Sequence, residues 1–155
     1  MIYVTSYWQL CSDYDGIGPT HLISILGPND NLSWPVMADL ANHLQIECDD
    51  IQHPLSGFVV PNKKHILELI NFVRGWSGQG GLMFHCKAGS SRSPAAALIA
   101  MSLFNPGKER ECALLLRERG PQARPSEVFL RQADAVLRRP RQPRQGSAVC
   151  DQRRR

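Results

Sequence analysis

A cysteine and an arginine stand at the two ends of a short loop of small residues. The segment reads His85-Cys86-Lys87-Ala88-Gly89-Ser90-Ser91-Arg92-Ser93, and it follows an apolar run and precedes a helix that opens at Pro94. In a loop of this kind, successive backbone N–H groups can point inward, and the positive end of the helix dipole adds to their field. The spacing therefore predicts a site that holds a phosphate group without a metal ion.

The residue types in the loop suit attack on a phosphate ester. Arg92 carries a planar fork that can bind two phosphate oxygens at once, which a lysine cannot match. The field at the helix N-terminus favours the thiolate form of Cys86, which is the nucleophilic form of a cysteine. Small residues let the backbone approach the anion closely. We expect phosphate to be bound by Lys87, Ala88, Gly89, Ser90, Ser91 and Arg92.

Two residues that flank the loop have supporting roles. Adjacent side chains on a strand point in opposite directions, so His85 is better placed to orient the loop than to contact a substrate. Ser93 could donate its hydroxyl to the sulfur of Cys86 when that sulfur is the leaving group. A plain helix cap is an equally good interpretation of Ser93, and the sequence leaves both open.

The first half of the chain predicts strands that end near this loop. Residues 2–5 and 21–26 are short β-branched or apolar runs, which are typical of buried strands. Residues 11–19 read as a loop, and Ser33, Trp34 and Pro35 suggest the start of a short helix that continues to residue 40. Residues 43–48 alternate between apolar and polar and predict a half-buried strand that runs into Asp49 and Asp50.

The second half of the chain predicts helices around the central strand. Apolar residues at helical spacing from Ile66 to Trp76 indicate a helix that Asn62 could cap. Residues 82–84 predict a strand, and further helices follow from Pro94, from about residue 108 to 119, and from Pro125 onward. We therefore predict a single α/β domain with a mostly parallel sheet of four to five strands and helices on both faces.

The segment from His85 to Ser93 resembles the H-C-x5-R-S/T signature of the protein tyrosine and dual-specificity phosphatase superfamily. Residues 44–51, the helix to Trp76 and residues 105–134 also look like a compact bacterial group of predicted tyrosine phosphatases. The resemblance implies the cysteine-phosphatase fold and hydrolysis of phosphate monoesters through a cysteinyl-phosphate, with no metal or organic cofactor. It implies that the substrate is a phosphorylated protein, through phosphotyrosine or dual specificity, or a small phosphate ester.

The resemblance also implies a general acid, because the superfamily usually has an aspartate some thirty residues before the cysteine. Asp50 lies 36 positions before Cys86, at a strand end followed by a loop that could close over the site. Asp49 is the neighbouring candidate, and only one of the two should face the pocket, since adjacent extended residues point apart. We prefer Asp50. Both aspartates could instead be solvated turn residues, and His53 is a weaker alternative donor.

Other functions fit parts of the same pattern. A module that binds phosphate without hydrolysing it would need the loop but not a reactive thiolate. A rhodanese-like sulfurtransferase also uses a loop that begins with a cysteine and binds an anion. A phosphoinositide is the alternative substrate, because Lys87 directly follows the cysteine and could attract a second anionic group. Ser90, however, stands where phosphoinositide phosphatases of the superfamily often have another basic residue.

Composition and charge place the chemistry in one domain and the basicity in a tail. The chain has 155 residues, 43% of them hydrophobic and 21% charged, which is ordinary for one globular core. Residues 138–155 contain seven arginines and one aspartate, a net charge of about +6. The whole chain has a formal net charge of +4, so the basicity lies in this segment. We predict a phosphatase domain over residues 1–138 and a basic, disordered tail over residues 139–155, which is either solubilising or binds an anionic partner. No nucleic-acid partner is expected.

Cysteine usage and hydropathy predict a reducing compartment. The five cysteines are scattered, and none forms the C-x-x-C spacing of a zinc or redox site, so we expect reduced thiols. No apolar run approaches the roughly 20 residues that span a bilayer, and the first residues lack the pattern of a signal peptide. We expect a cytoplasmic monomer with no membrane span.

Overall fold

A four-stranded parallel sheet forms the centre of the molecule. The computed structural model describes residues 1–35 and 40–137, and its strands run in the order β1-β4-β2-β3. Each neighbouring pair of strands is parallel, so all the strands end at the same edge of the sheet. The strands are β1 (Ile2–Ser6), β2 (His21–Leu26), β3 (His43–Glu47) and β4 (Leu82–Cys86).

Five helices pack around the sheet. They are α1 (Leu10–Ile17), α2 (Lys63–Gly75), α3 (Arg92–Phe104), α4 (Glu109–Arg119) and α5 (Glu127–Leu137), and two short 3₁₀ turns cover Pro28–Asp30 and Leu40–Asn42. This architecture confirms the prediction of a single α/β domain with a parallel sheet, here with four strands.

The two faces of the sheet differ in size and in polarity. Alternate strand residues such as Ile23, Ile46 and Phe84 enter a large apolar core that also contains side chains of α2, α3 and α5. The opposite face has a small apolar cluster, in which Leu10 of α1 packs on Leu22 and Met83. Helices therefore cover both faces, and α1 is the element that covers the smaller core.

The prediction of a loop over residues 11–19 was wrong, because α1 occupies most of that segment. Leu10 and Tyr14 lie one turn apart and pack in the small apolar cluster, while most of the remaining residues of the helix, including Ile17, are exposed. The hydroxyl of Thr5 also donates a hydrogen bond to Asp13, which connects the helix to the end of β1. Gly18 ends the helix in a left-handed conformation with φ of 61°. An apolar stripe of two residues is too short a pattern to predict a helix from sequence.

The strand, loop and helix that carry the predicted site form as expected. Strand β4 continues two residues beyond the predicted apolar run, to Cys86, and α3 begins at Arg92. Pro94 therefore occupies the first turn of α3, where its missing N–H costs no helical hydrogen bond. The side chain of Asn62 accepts hydrogen bonds from the backbone at Lys64 and His65, which confirms the predicted cap of α2.

Two predictions fall partly or wholly outside the described residues. Residues 33–35 are not helical, and the rest of the predicted helix, residues 36–39, lies outside the described part of the chain. The predicted basic tail over residues 139–155 also lies outside it. Within residues 1–35 and 40–137, none of the helices combines the length and the apolar character that crossing a bilayer requires.

Candidate active site

The loop of residues 86–92, called the site loop below, folds tightly against the end of β1. Gly89 has φ of 71°, a conformation that residues with a side chain rarely adopt. A Cβ atom on Gly89 would lie 2.8 Å from the backbone nitrogen of Ser6 and 2.9 Å from the carbonyl oxygen of Thr5. The loop therefore requires glycine here for two reasons, its backbone conformation and its contact with β1.

The carbonyl groups of the site loop bind the neighbouring loops. The N–H of Tyr7 donates to the carbonyls of Cys86 at 2.9 Å and Lys87 at 3.1 Å. On the other side of the loop, Arg124 N donates to Ser90 O at 2.7 Å and Ser126 N donates to Ser91 O at 3.1 Å. In contrast, the backbone N–H groups of residues 88–91 donate to no acceptor among residues 1–35 and 40–137. Unpaired N–H groups ahead of a helix N-terminus are what an anion-binding loop requires.

The sulfur of Cys86 lies beside the hydroxyl of Ser93. The distance from Sγ to Oγ is 3.1 Å, and either atom could be the donor. Cys86 is 1% exposed and Ser93 is fully buried, so a reacting phosphate would have to reach the base of the loop. Of the two roles left open for Ser93, the structure brings its hydroxyl to the sulfur and gives it no capping bond, because α3 begins one residue earlier.

The guanidinium of Arg92 is bound by Asp30, a residue that sequence analysis did not single out. Its Nη1 donates to Oδ2 of Asp30 at 2.6 Å and its Nη2 donates to Oδ1 at 3.2 Å, while Nη1 also donates to the carbonyl of Cys48 at 2.9 Å. Its Nε atom is buried and has no acceptor among the described residues. The fork is thus held from one side, with one buried donor still unused.

The ion pair of Asp30 and Arg92 is charged at neutral pH. Burial raises the pKa of Asp30, but hydrogen bonds from Arg92 and Gly27 and the charges of Arg92 and Lys87 outweigh burial and hold that pKa below its ordinary value. The ammonium of Lys87 lies 4.0 Å from Oδ1 of Asp30 and donates to the Asp30 carbonyl at 3.4 Å. Asp30 is therefore a carboxylate at neutral pH, and it orients both cations of the loop.

The two adjacent aspartates have different surroundings. Asp49 is 3% exposed, and its carboxylate accepts hydrogen bonds from the backbone and side chain of Asn29 at 3.2 and 3.1 Å and from Val59 N at 2.8 Å. Asp50 is exposed, and its Oδ1 accepts a hydrogen bond from the Ser91 hydroxyl at 2.8 Å. The Asp49 carboxylate thus connects two loops, whereas the Asp50 carboxylate contacts the site loop. His53 is an exposed residue of the following segment.

On the other side of Cys86, His85 begins a buried chain of hydrogen bonds. Its Nε2 lies 2.6 Å from the Ser24 hydroxyl, which lies 2.6 Å from Nε2 of His43. Burial lowers the pKa of His85 to about 4; the backbone of Cys86 opposes this shift, and the charges of His43 and Arg92 add to it. Burial also lowers the pKa of His43. Both rings are neutral at pH 7. His85 therefore supports the loop from strand β4, and it lies on the opposite face of the sheet from the sulfur.

Asp30, Ser24 and His43 are the participants that sequence analysis missed. A signal existed for Asp30, because it follows β2 closely and the carboxyl ends of parallel strands meet at one edge of a sheet. Its contact with Arg92 spans 62 residues and depends on β2 lying next to β4. Ser24 and His43 had no comparable signal, since each looks like one polar residue within a strand.

The two other buried thiols, Cys48 and Cys112, and the possible metal ligands give no further reactive centre in the described part of the chain. Burial and the charges of Glu109 and Glu111 raise the pKa of Cys112. Burial raises the pKa of Cys48 to about 12, so that thiol stays protonated at neutral pH. Among residues 1–35 and 40–137, no three His, Cys, Asp or Glu side chains are grouped to hold a metal ion.

Solved structures with a similar fold are tyrosine and dual-specificity phosphatases or proteins named after them. The human tyrosine phosphatase-like serine/threonine/tyrosine-interacting protein has a TM-score of 0.70 and 21% identity, covering 88% of this chain and 91% of that chain. Human DUSP28 has a TM-score of 0.65 and 14% identity, covering 87% and 86%. PTPMT1, solved with PI(5)P, has a TM-score of 0.56 and 13% identity, covering 90% and 94%.

These comparisons establish the fold. No family model matches the chain, and no curated protein matches its sequence significantly. The structural matches cover 87–90% of this chain and 86–94% of each neighbour. The chain therefore has the cysteine-phosphatase fold that the signature from His85 to Ser93 led us to expect.

Proposed function

We propose that this protein is a cysteine-dependent phosphatase that hydrolyses phosphate monoesters through a cysteinyl-phosphate intermediate. The observation that carries the proposal is the set of unused donors on the site loop. Residues 88–91 offer backbone N–H groups with no acceptor in the described residues, and Arg92 offers a buried Nε with none. A phosphate dianion supplies acceptors for all of these donors at once.

In the first step, the thiolate of Cys86 attacks phosphorus and the bond from phosphorus to the ester oxygen breaks. Arg92 and the loop N–H groups bind the three equatorial oxygens, whose charge must be stabilised in the transition state. The carboxyl group of Asp50 gives its proton to the departing oxygen, so the leaving group departs as a neutral alcohol or phenol. The hydrogen bond from Ser91 to Asp50 supports this role because it holds the carboxyl at the loop.

In the second step, water attacks phosphorus and the bond from phosphorus to sulfur breaks. Asp50, now a carboxylate, takes a proton from the water, and inorganic phosphate leaves. The sulfur of Cys86 departs as a thiolate, and the hydroxyl of Ser93 at 3.1 Å can donate to it as that charge develops. Each residue thus returns to its starting protonation state, and no metal or organic cofactor enters either step.

Asp30 acts in this proposal as a positioning residue. It binds two nitrogens of Arg92 and so fixes the plane of the guanidinium, which leaves the buried Nε as the donor for phosphate. A guanidinium held in place before the substrate arrives loses less side-chain entropy on binding.

Phosphate release from p-nitrophenyl phosphate tests the activity. We expect steady release by the wild type, and no release by Cys86→Ser, which should still bind inorganic phosphate. Cys11→Ser is the matched control, because Cys11 is an exposed thiol on α1, and it should keep full activity. Phosphate binding without release by the wild type would indicate a binding module, and turnover of thiosulfate would indicate a sulfurtransferase.

For the substrate, we propose a phosphorylated protein, with phosphotyrosine or dual specificity. A phosphoinositide is the second candidate, because Lys87 directly follows the nucleophile. Its ammonium already has Asp30 as a neighbour at 4.0 Å, which reduces its attraction for a second anion. Assays with a phosphotyrosine peptide, a phosphothreonine peptide and PI(5)P separate these classes, and we expect kcat/KM to be highest for a phosphopeptide.

A further inference from the structure

A concave surface lies beside Gly89 of the site loop, and the proposed reaction does not use it. This cavity has a volume of about 640 Å³ and lies beside edge strand β1, between the end of α3 and the last turns of α4. Its lining is mainly apolar and includes Val4, Trp76, Met101, Phe104 and Leu116. Cavities of about 300 to 1,000 Å³ with an apolar lining are typical of sites for small molecules.

Apolar side chains at this cavity are open to solvent. Phe104 is 46% exposed and Leu115 is 36% exposed, and both line the cavity. Covering such surface with an apolar partner is favourable, because apolar area is removed from water. An occupant with an apolar body would therefore be bound more strongly than a polar one.

Arg119 is the one charged side chain among the residues that line the cavity. It lies in the last turn of α4, and it forms no salt bridge with any residue of 1–35 or 40–137. A guanidinium with no carboxylate partner among the described residues, beside an apolar cavity, matches a ligand that carries one negative charge.

We propose that this cavity binds a small amphipathic anion, in which an apolar body fills the space between β1, α3 and α4 and one carboxylate or sulfonate meets Arg119. A medium-chain fatty acid has this chemistry. A neutral hydrocarbon would gain nothing from the exposed guanidinium, and a polar metabolite would leave the apolar lining uncovered.

The cavity is independent of the chemistry at Cys86. Its wall includes Gly89 and Pro94, so an occupant would contact the site loop and the first turn of α3, whereas Asp50 and Ser91 do not line the cavity. Binding there needs neither the thiol nor the unused donors of the loop. The cavity can therefore be tested by binding alone, whether or not the protein hydrolyses phosphate esters.

Fluorescence titration with 1-anilinonaphthalene-8-sulfonate, an aromatic body with one sulfonate, tests the apolar part of the site. We expect saturable binding to the full chain and at least about tenfold weaker binding to Leu115→Asp, because a carboxylate would stand in the apolar lining. Leu114→Asp is the matched control. Leu114 is the neighbouring leucine, is 58% exposed and does not line the cavity, so this variant should bind like the wild type.

Competition with decanoate and decanol, below their aggregation concentrations, tests the charge. We expect decanoate to displace the probe and to raise the Tm of the wild type, since a ligand that binds the folded state stabilises it. Decanol should compete roughly fivefold less well. Arg119→Gln should remove that preference for the anion, whereas Arg117→Gln, a change in the same turn of α4 but outside the cavity, should keep it.

Three results would overturn the proposal. One is a wild type that shows neither probe binding nor a decanoate-dependent rise in Tm. Another is equal probe affinity in wild type and Leu115→Asp, which would place the binding elsewhere. The third is wild-type self-association that Leu115→Asp abolishes, without any binding of decanoate, which would make this surface an interface between two copies of the chain. Circular dichroism of each variant checks that it is folded.

Discussion

The two sides of Cys86 use polar residues for different purposes. On the strand side, His85 and Ser24 belong to a buried and neutral chain of hydrogen bonds that runs across the sheet. On the helix side, Arg92 and Asp30 are charged, and the loop still has donors with no acceptor in the described residues. Nδ1 of His85 also has no partner among the described residues, but it belongs to a buried and neutral ring. Buried neutral groups hold a loop in place, whereas a cation and loop N–H groups with unused donors can bind an anion. Residues on the strand side therefore support the loop, and residues on the helix side bind the substrate in the proposed reaction.

The largest effect that sharpens this comparison is expected at Asp50. Asp50→Asn cannot protonate the leaving group, and positioned proton transfer typically contributes about 10²- to 10⁴-fold. We expect kcat to fall about 100-fold with phenyl phosphate, measured by phosphate release. The loss should be smaller with p-nitrophenyl phosphate, because p-nitrophenolate leaves readily without a proton.

Asp49→Asn is the paired variant, one residue away. It removes an acceptor oxygen from a buried carboxylate that now receives three hydrogen bonds. We expect the free energy of unfolding to fall by about 1–3 kcal/mol, with kcat per folded molecule nearly unchanged. If Asp49→Asn lost turnover and Asp50→Asn kept it, the roles of the two aspartates would have to be exchanged.

A smaller effect is expected at Asp30, on the charged side of the loop. Asp30→Asn keeps one acceptor oxygen for Arg92 but removes the negative charge that orients the guanidinium. We expect KM and the inhibition constant for inorganic phosphate each to rise about tenfold, with a smaller fall in kcat.

Asp30→Glu tests whether Asp30 acts through position. The longer carboxylate keeps the charge, so it should restore part of the phosphate affinity. A variant series that changes only the free energy of unfolding, with phosphate inhibition unaltered, would show that Asp30 supports the fold and does not position Arg92.

The smallest effect on turnover is expected on the neutral side, where the expected change is a pH dependence of stability. The pKa of His85 is about 4 in the folded protein, below the ordinary value of 6.5. Between those values the unfolded chain binds a proton that the folded chain does not, so stability falls as pH drops from about 6.5 to about 4. The loss attributable to His85 is up to about 3 kcal/mol.

Replacing the ring isolates that contribution. The free energy of unfolding in urea is measured for the wild type and for His85→Asn at several pH values. We expect it to depend less steeply on pH in the variant, where only the other buried histidines still contribute. Equal slopes for the two proteins would mean that His85 is protonated in the folded state as readily as in the unfolded chain. The neutral character of the strand side would then be wrong.

Sequence predicted the site loop because its chemistry is contiguous along the chain. The strand that ends at Cys86, the small residues and the helix that begins at Arg92 follow one another directly. Local patterns of apolar residues and caps therefore suffice for this unit, and they also predicted the helix that Asn62 caps.

The remaining parts of the site depend on which strands are neighbours, and sequence did not give that order. Asp30 meets Arg92 only because β2 lies beside β4, and His43 meets His85 only through Ser24 on the strand between them. Helix α1 was missed for a different reason, because only Leu10 and Tyr14 face the small apolar cluster. Contacts between residues far apart in sequence, and helices with very small apolar faces, cannot be predicted from a local sequence pattern.

Trapping the intermediate tests the nucleophilic role of Cys86 most directly. Asp50→Asn, mixed with p-nitrophenyl phosphate and quenched in acid within milliseconds, should carry one phosphoryl group on the peptide that contains Cys86, as detected by mass spectrometry. The variant keeps the nucleophile and the anion site but lacks the base that activates water, so the intermediate should accumulate. Release of phosphate without a phosphoryl group on any cysteine, or undiminished release by Cys86→Ser, would contradict the proposed chemistry.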